Sequence, residues 1–332
     1  MAADPAVPPT ADPAIPDPAA AVPAGLVARL GEQLVGRRRE IELVVAALTA
    51  DRHVLIEGPP GTGKSTLLRA VAHELGVGFE FVEGNAELTP ARLVGHFDPS
   101  RVLADGYDPD VFVDGALVTA LRDGSLLYVE EINRVPEETL NVLVTVMSER
   151  ELHVPRLGHV VAAPGFRLVA AMNPFDAVGT ARISGAIYDR VCRLAVTYQT
   201  AEEESAIATR TAPIGDGPPL DPEWVDRVVE LVRATRSHPD LRVGSSVRGA
   251  IDTCAVAASL AELRGATIDQ PSVSLDAALM ALSGRVRLRE GSARTAEEVI
   301  TELWTSVFGR STGEEGDGEG KAGAPTGATN SP

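Results

Sequence analysis

An α/β domain in three layers, built on a mainly parallel sheet and followed by a smaller all-α domain, is the fold this sequence predicts. Three observations carry it. Short apolar runs alternate with segments of helical spacing as far as about Val196, the pattern of strand, crossover helix and parallel strand. From about Asp216 every remaining periodic segment has helical spacing. Between the first apolar run and the helix after it stands Gly58 to Thr66, GPPGTGKST, a glycine-rich turn of the kind that joins a buried strand to a helix N-terminus.

Folded structure is expected from about Gly25, where Leu26, Leu30, Leu34 and Val35 lead into a helix over Arg38 to Leu48. His53 to Glu57 (HVLIE) is the first strand, and Leu67, Leu68, Val71 and Leu75 recur at helical spacing over Ser65 to Leu75. Phe79 to Glu83 reads as a second strand and Thr89 to Val94 as a short helix. Residues 95–115 then read as a long loop with Phe97, Val102, Val111 and Phe112 spread among Asp, Gly and Pro, an insert of a length that is often functional. A helix over Ala116 to Asp123 leads to a strongly apolar strand, Ser125 to Val129. Pro136, Glu137 and Glu138 open the next helix, whose Leu140, Leu143, Val144 and Met147 form a core stripe. Glu151 to Pro155 and His159 to Ala163 read as the arms of a β-hairpin across 151–163. Phe166 to Met172 is a further strand ending at Asn173 and Pro174, Ile183 to Arg190 a helix, and Arg193 to Val196 a closing strand.

In the second domain, Asp221, Pro222 and Glu223 cap a helix bearing Val225, Val228, Val229 and Val232. A second helix starts at Ser245 or Ser246 and runs to about Arg264, a third lies within Ser274 to Leu288, and Thr295 with Glu298 forms a capping box for a fourth carrying Val299, Leu303, Trp304 and Val307. The expected divisions are a disordered Ala- and Pro-rich tail over 1–24, an α/β domain over 25–212, a helical domain over 213–309 and a disordered acidic Gly-rich tail over 310–332.

Composition narrows the function classes. With aromatics at 4%, the cores must be mostly aliphatic. The net charge of −17 belongs mostly to the body between the tails, which disfavours nucleic acid or an anionic membrane as the main partner. No run of eighteen apolar residues and no basic leader with an apolar core is present, so a cytoplasmic protein without a membrane segment is expected. The two cysteines, Cys192 and Cys254, lie in apolar stretches without metal-ligand spacing and are expected to be buried, reduced thiols. His53, His96, His153 and His159 show no metal spacing either.

The chemistry concentrates in a few places. In GPPGTGKST, that is Gly58, Pro59, Pro60, Gly61, Thr62, Gly63, Lys64, Ser65 and Thr66, the glycines let successive backbone N–H groups converge on anionic oxygens, and the helix N-terminus adds partial positive charge. Lys64 is placed to reach β and γ phosphates and Ser65 to hold magnesium. Glu130 and Glu131 end a buried strand, where two carboxylates are costly unless a cation or polar groups meet them. Arg248 falls in the first turn of a helix, a poor place for a cation unless an anion faces it.

Taken together, GPPGTGKST, LLYVEEINR, AAMNP, IYDRV and GSSVRGA resemble, in order, the Walker A, Walker B, first sensor, arginine-finger region and second sensor of MoxR-type ATPases of the AAA+ superfamily, over about Leu34 to Phe308. The insert at 95–115 resembles the extra segment in that branch's second helix, and the hairpin at 151–163 its pre-sensor hairpin. The resemblance implies ATP and magnesium as cofactors, with Ser65 and Glu130 at the metal. Glu130 stands where the family has Asp, and the extra methylene shifts its carboxylate by roughly 1.5 Å, which bears on turnover. By resemblance Glu131 orients and deprotonates the attacking water, and Asn173 ends a strand lying between the two Walker strands. Arg190 is the finger offered to a neighbouring subunit, with Arg182 and Arg193 as competitors. Arg248 reaches the γ phosphate from the helical lid, and Val35 and Gly36 wall the adenine.

The function implied is ATP hydrolysis in a homo-oligomeric ring, hexameric by resemblance, that acts chaperone-like on a protein client, with a partner bearing a von Willebrand factor A domain. Three other classes compete. A small-molecule kinase would share the loop but has no use for Asn173, a trans-acting Arg190 or Arg248. A DNA-directed motor of the same superfamily would share all of them, against an acidic body with no helix-turn-helix or zinc module. A low-turnover nucleotide-binding scaffold would account for Glu130.

Overall fold

In the computed structural model, residues 23–174, 183–212 and 219–309 are described. The tails beyond residues 23 and 309, Arg182 and Asp216 lie outside them. The chain divides into two compact units at Ile207 and Ala208. The first begins with α1 (Leu26–Gln33) and α2 (Arg38–Thr49), followed by β1 (His53–Glu57), α3 (Lys64–Leu75), β2 (Phe79–Glu83) and α4 (Pro90–Val94). Then come β3 (Gly95–Phe97), α5 (Pro99–Asp105), β4 (Phe112–Asp114), α6 (Ala116–Asp123), β5 (Leu126–Glu130) and α7 (Glu137–Glu149). The hairpin strands β6 (Glu151–Val154) and β7 (Gly158–Val161) lead to β8 (Arg167–Met172), α8 (Gly185–Tyr188), β9 (Val191–Ala195) and α9 (Ala201–Thr211), within which the division between the units falls.

The central sheet has five strands in the order β2, β5, β8, β1, β9, and every neighbouring pair is parallel. Both faces are covered, which is why the strands read as nearly continuous apolar runs. Val54 and Ile56 of β1, Tyr128 of β5 and Val169 and Ala171 of β8 pack with α1, α2 and α3 on one face. Their alternates, Leu55, Leu127, Val129, Leu168 and Ala170, pack with α6 and α7 on the other. That alternation, two residues per repeat, makes the three layers.

In the first unit two expected elements change. Residues 95–115 are not a loop: β3 and β4 pair antiparallel around α5, and Asp98 and Asp108, with prolines directly after them, cap the turns they start. The aromatic edges meet there, Phe97 lying 5.2 Å from Tyr107 and 5.0 Å from Phe112 between centroids. The helix expected over Ile183 to Arg190 shrinks to the single turn of α8. α9 is an element the apolar spacing passes over, because its first turn is three glutamates.

The second unit holds α10 (Pro222–Ala234), α11 (Val247–Arg264), α12 (Pro271–Leu282) and α13 (Ala296–Phe308). Its core runs through Trp224, Val228, Val232, Cys254, Ala257, Ala277, Leu282 and Ile300. The capping box at Thr295 and Glu298 is formed. A small antiparallel pair, β10 (Leu241–Val243) with β11 (Arg287–Leu288), adds strand to a unit expected to be wholly helical. Cys254 is buried, and desolvation pushes its thiol up to about 12. Cys192, by contrast, is exposed. It lies on β9, an edge strand covered less than the interior ones, so an apolar neighbourhood in sequence does not translate into burial.

Candidate active site

The glycine-rich loop leaves the C-terminal end of β1 and enters α3. Gly61 and Gly63 take φ of +74° and +80°, a conformation that strains any L side chain, and Gly63 is the residue before the first turn of α3. Lys64 is buried, and its Nζ donates to the carbonyls of Gly58 and Pro59, both at 2.9 Å, which places the ammonium inside the turn of the loop. Thr62 Oγ1 closes the turn by donating to Pro59 O at 2.9 Å. Gly58 N donates to Met172 O at 3.1 Å, tying the loop to the neighbouring strand β8. Pro60 and Thr66 are exposed and Pro59 is half-buried.

The next group comes from β5. Ser65 Oγ donates to Glu130 Oε1 at 2.9 Å and lies 3.2 Å from the hydroxyl of Tyr128, whose ionisation burial makes harder. Two hard oxygen donors, a hydroxyl and a carboxylate, are thus side by side at the mouth of a phosphate-type loop. This donor set fits magnesium, which takes oxygen ligands and keeps several waters. The extra methylene of Glu130 therefore does not carry the carboxylate away from the hydroxyl.

Glu131 directly follows the strand with φ of +51°, in the left-handed region, and a short 3-10 turn over Ile132–Arg134 follows it. Its carboxylate pairs with Arg134 Nε at 3.0 Å, with both side chains more than a third exposed. The turn is held from the next strand, since Gly84 N donates to Glu130 O at 2.7 Å. A Cβ at Gly84 would lie 2.4 Å from Glu131 O, so only glycine allows this approach. Asn173 follows the last residue of β8, and β8 lies between β5 and β1, so the backbone delivers Asn173 between Glu131 and the loop.

The arginines separate. Arg193 is in register with Leu55, and its Nε donates to Glu57 Oε2 at 2.6 Å. Tyr188 donates to the other Glu57 oxygen at 2.8 Å, so the buried Glu57 is neutralised within the subunit and Arg193 is occupied by it. Arg190 precedes Val191, which is in register with His53 at the start of β1. It therefore sits at the N-terminal edge of the sheet, about five residues or ~16 Å of strand from its own loop. Arg248 is exposed in the first turn of α11, in the second unit. Val35 is half-buried. Gly36, at φ of +68°, lines a cleft of about 680 Å³ together with Leu34, Arg37 and Glu203, and Val35 is not among the lining residues.

Two side chains at the loop escaped sequence reasoning. Arg37, 6% exposed, braces the loop by donating to Thr62 O at 2.9 Å and Thr197 O at 2.8 Å. Nothing in its setting among Arg37, Arg38 and Arg39 distinguishes it. Glu57 had a detectable signal: an acid that ends an apolar strand must find a partner.

Strand order, loop and carboxylates define a P-loop nucleotide-binding fold of the AAA+ type. Residues 53–191 match the family model described as AAA domain (dynein-related subfamily). An uncharacterized protein of Staphylococcus epidermidis is 33% identical over 155 residues, which cover 46% of this chain and 58% of that protein. The match thus spans less than two thirds of that relative's length. The uncharacterized protein YeaC of Bacillus subtilis is 28% identical over 249 residues, 68% of this chain and 74% of its own. Among solved structures, the RuvB Holliday junction branch migration motor of Thermotoga maritima superposes with a TM-score of 0.51 at 18% identity, covering 75% of this chain and 70% of that one. A RuvB variant gives 0.54 at 19% identity, covering 76% and 71%. At these identities the likeness is one of fold. Among the described residues no helix is long and apolar enough to cross a membrane.

Proposed function

We propose that this protein binds ATP with magnesium and hydrolyses it, as a MoxR-type ATPase working in the cytoplasm in a homo-oligomeric ring, to remodel or mature a protein client with a partner bearing a von Willebrand factor A domain. The observation that carries the catalytic part is the meeting of Ser65 Oγ and Glu130 at 2.9 Å beside the loop, with Glu131 next in the chain. In this reading the loop N–H groups and Lys64 hold the β and γ phosphates. Ser65, with Glu130 through water, holds magnesium, which when bound offsets phosphate charge. Glu131 orients the attacking water and takes its proton, and Asn173 fixes that water or the γ phosphate from the strand between. The 16 Å of strand between Arg190 and its own loop support a role toward another subunit's nucleotide, where a guanidinium offsets transition-state charge. Arg248 reports the γ phosphate to the helical unit, which acts as a lid.

The test is phosphate release from ATP with magnesium by the purified full-length chain. Wild type is expected to turn over, and Lys64→Ala to weaken ATP binding by about a hundredfold or more, because the cradle loses the ammonium held inside the loop. Tight ATP binding with no phosphate release under any condition would replace the enzyme with the scaffold reading.

A further inference from the structure

Seven arginines border the two edges of the sheet, and five of them are matched with a carboxylate. Arg37 pairs with Glu40, Arg134 with Glu131, Arg150 and Arg167 with Asp51, and Arg193 with Glu57. Arg52 and Arg190 have no carboxylate partner among the described residues, and of the two Arg190 is held by neutral oxygens. Its Nε donates to Ser148 Oγ at 2.6 Å and its Nη1 to Ala186 O at 2.8 Å.

Ser148 is locked in its role. It donates its only proton to Val144 O, one turn back in α7, at 3.0 Å, so toward Arg190 it can only accept. Two acceptors, one at Nε and one at Nη1, fix the plane of the guanidinium and leave Nη2 without a partner among the described residues. Arg190 lines a cleft of about 400 Å³ with Arg52, Arg150 and Ser148, and with Asp51 and Asp189, neither of which pairs with it. α7 itself starts three residues beyond Arg134, so the helix that leaves a subunit's own Glu131 also carries the hydroxyl that aims Arg190.

We propose that Ser148 is a positioning residue that fixes the uncompensated Arg190 guanidinium with its outer edge toward an anion carried by a second copy of this chain, the γ phosphate of that copy's ATP. The inference rests on the reading of Arg190 as trans-acting. It adds a residue from a different element to the composite site, and it makes α7 the mechanical link between the hydrolytic end of one subunit and the finger offered to the next.

The test compares Ser148→Ala, Ser148→Thr, Arg190→Ala and the double variant Ser148→Ala/Arg190→Ala in the full-length protein under magnesium and ATP. Ser148→Ala is expected to lower kcat by about fivefold at unchanged KM, since misplacing a charge by a fraction of an ångström costs rate and not ground-state binding. ADP affinity and oligomer size stay at wild-type values, because Ser148 is exposed on a helix face. Ser148→Thr keeps the hydroxyl and returns kcat to within about twofold of wild type. The double variant is no slower than Arg190→Ala. Wild-type kcat in Ser148→Ala, a loss that adds to that of Arg190→Ala, or a loss accompanied by weaker ADP binding or altered assembly overturns the proposal. If Arg190→Ala itself runs at the wild-type rate, the trans-acting reading fails; if Arg190→Ala is slow and Ser148→Ala is not, only the role of Ser148 fails.

Discussion

At the C-terminal edge of the sheet, Glu131 and Arg134 form an ion pair with side chains 36% and 39% exposed. At the N-terminal edge, Arg167 is 2% exposed, bonded to Asp51 at 2.6 Å and to Phe166 O at 2.7 Å. Alongside it, His53 accepts from Leu168 N at 2.9 Å through Nδ1. A pair as wet as Glu131–Arg134 is worth about 0–1 kcal/mol and can open in a catalytic cycle. In the Arg167–Asp51 pair only the guanidinium is buried, since Asp51 is 52% exposed, so the cost of breaking it falls on an arginine left buried without its counter-charge. The difference lies in the arginines: on the wet edge the paired guanidinium is open to water, and on the drier edge it is buried and fixes the sheet. Arg190 is held on the N-terminal edge by neutral groups at a cleft, which is what the proposed trans-acting role requires of it.

Gly84→Ala is the change expected to damage the wet edge most. The added methyl would lie 2.4 Å from Glu131 O and 2.8 Å from Glu130 O, so either β2 or the turn carrying both carboxylates has to move. We expect kcat to fall by more than about tenfold, with ADP affinity changed by less than about threefold because the loop is untouched. Steady-state rates beside an ADP titration decide it, and an unchanged kcat would show that the approach of β2 does not set the position of Glu131.

The dry edge responds to pH instead. Burial, followed by the charges of Arg150 and Arg167, lowers His53 from 6.5 to about 4. The folded state therefore holds a neutral imidazole while the unfolded chain protonates below 6.5, so stability is full above that value and is lost as pH falls toward 4. The loss approaches about 3 kcal/mol. His53→Asn keeps an acceptor for Leu168 N without a titrating group. Denaturant melts of both proteins between pH 7 and pH 4 should show wild type falling relative to the variant, and parallel curves would remove His53 from the account.

Much of this was legible in the sequence, for identifiable reasons. Strands covered on both faces announce themselves as apolar runs, so β1, β2, β5 and β8 fall within a residue or so of their expected limits. The loop carries its own pattern, and Glu130 and Glu131 stand out as acids ending a buried strand. Elements whose stability comes from polar caps and aromatic edges were not legible: α5 between β3 and β4 has no buried residue, and α9 opens on glutamates. Contacts that depend on strand order were not legible either. Glu57 with Arg193, and Ser148 with Arg190, join residues far apart in the chain through the register of β1 with β9 and the return of α7.

The division of labour between the two edges is tested most directly by mixing two inactive proteins. Glu131→Gln keeps the N-terminal edge with Arg190 and loses the carboxylate proposed to activate water; Arg190→Ala keeps the carboxylate and loses the guanidinium. Each alone is expected to hydrolyse ATP at least about a hundredfold more slowly than wild type. Mixed and allowed to exchange subunits, they are expected to recover a fraction of wild-type ATPase activity that follows the statistics of interfaces pairing an intact Glu131 with an intact Arg190. A mixture that stays at the summed rates of its two components, with exchange verified, would contradict a site completed by a second subunit.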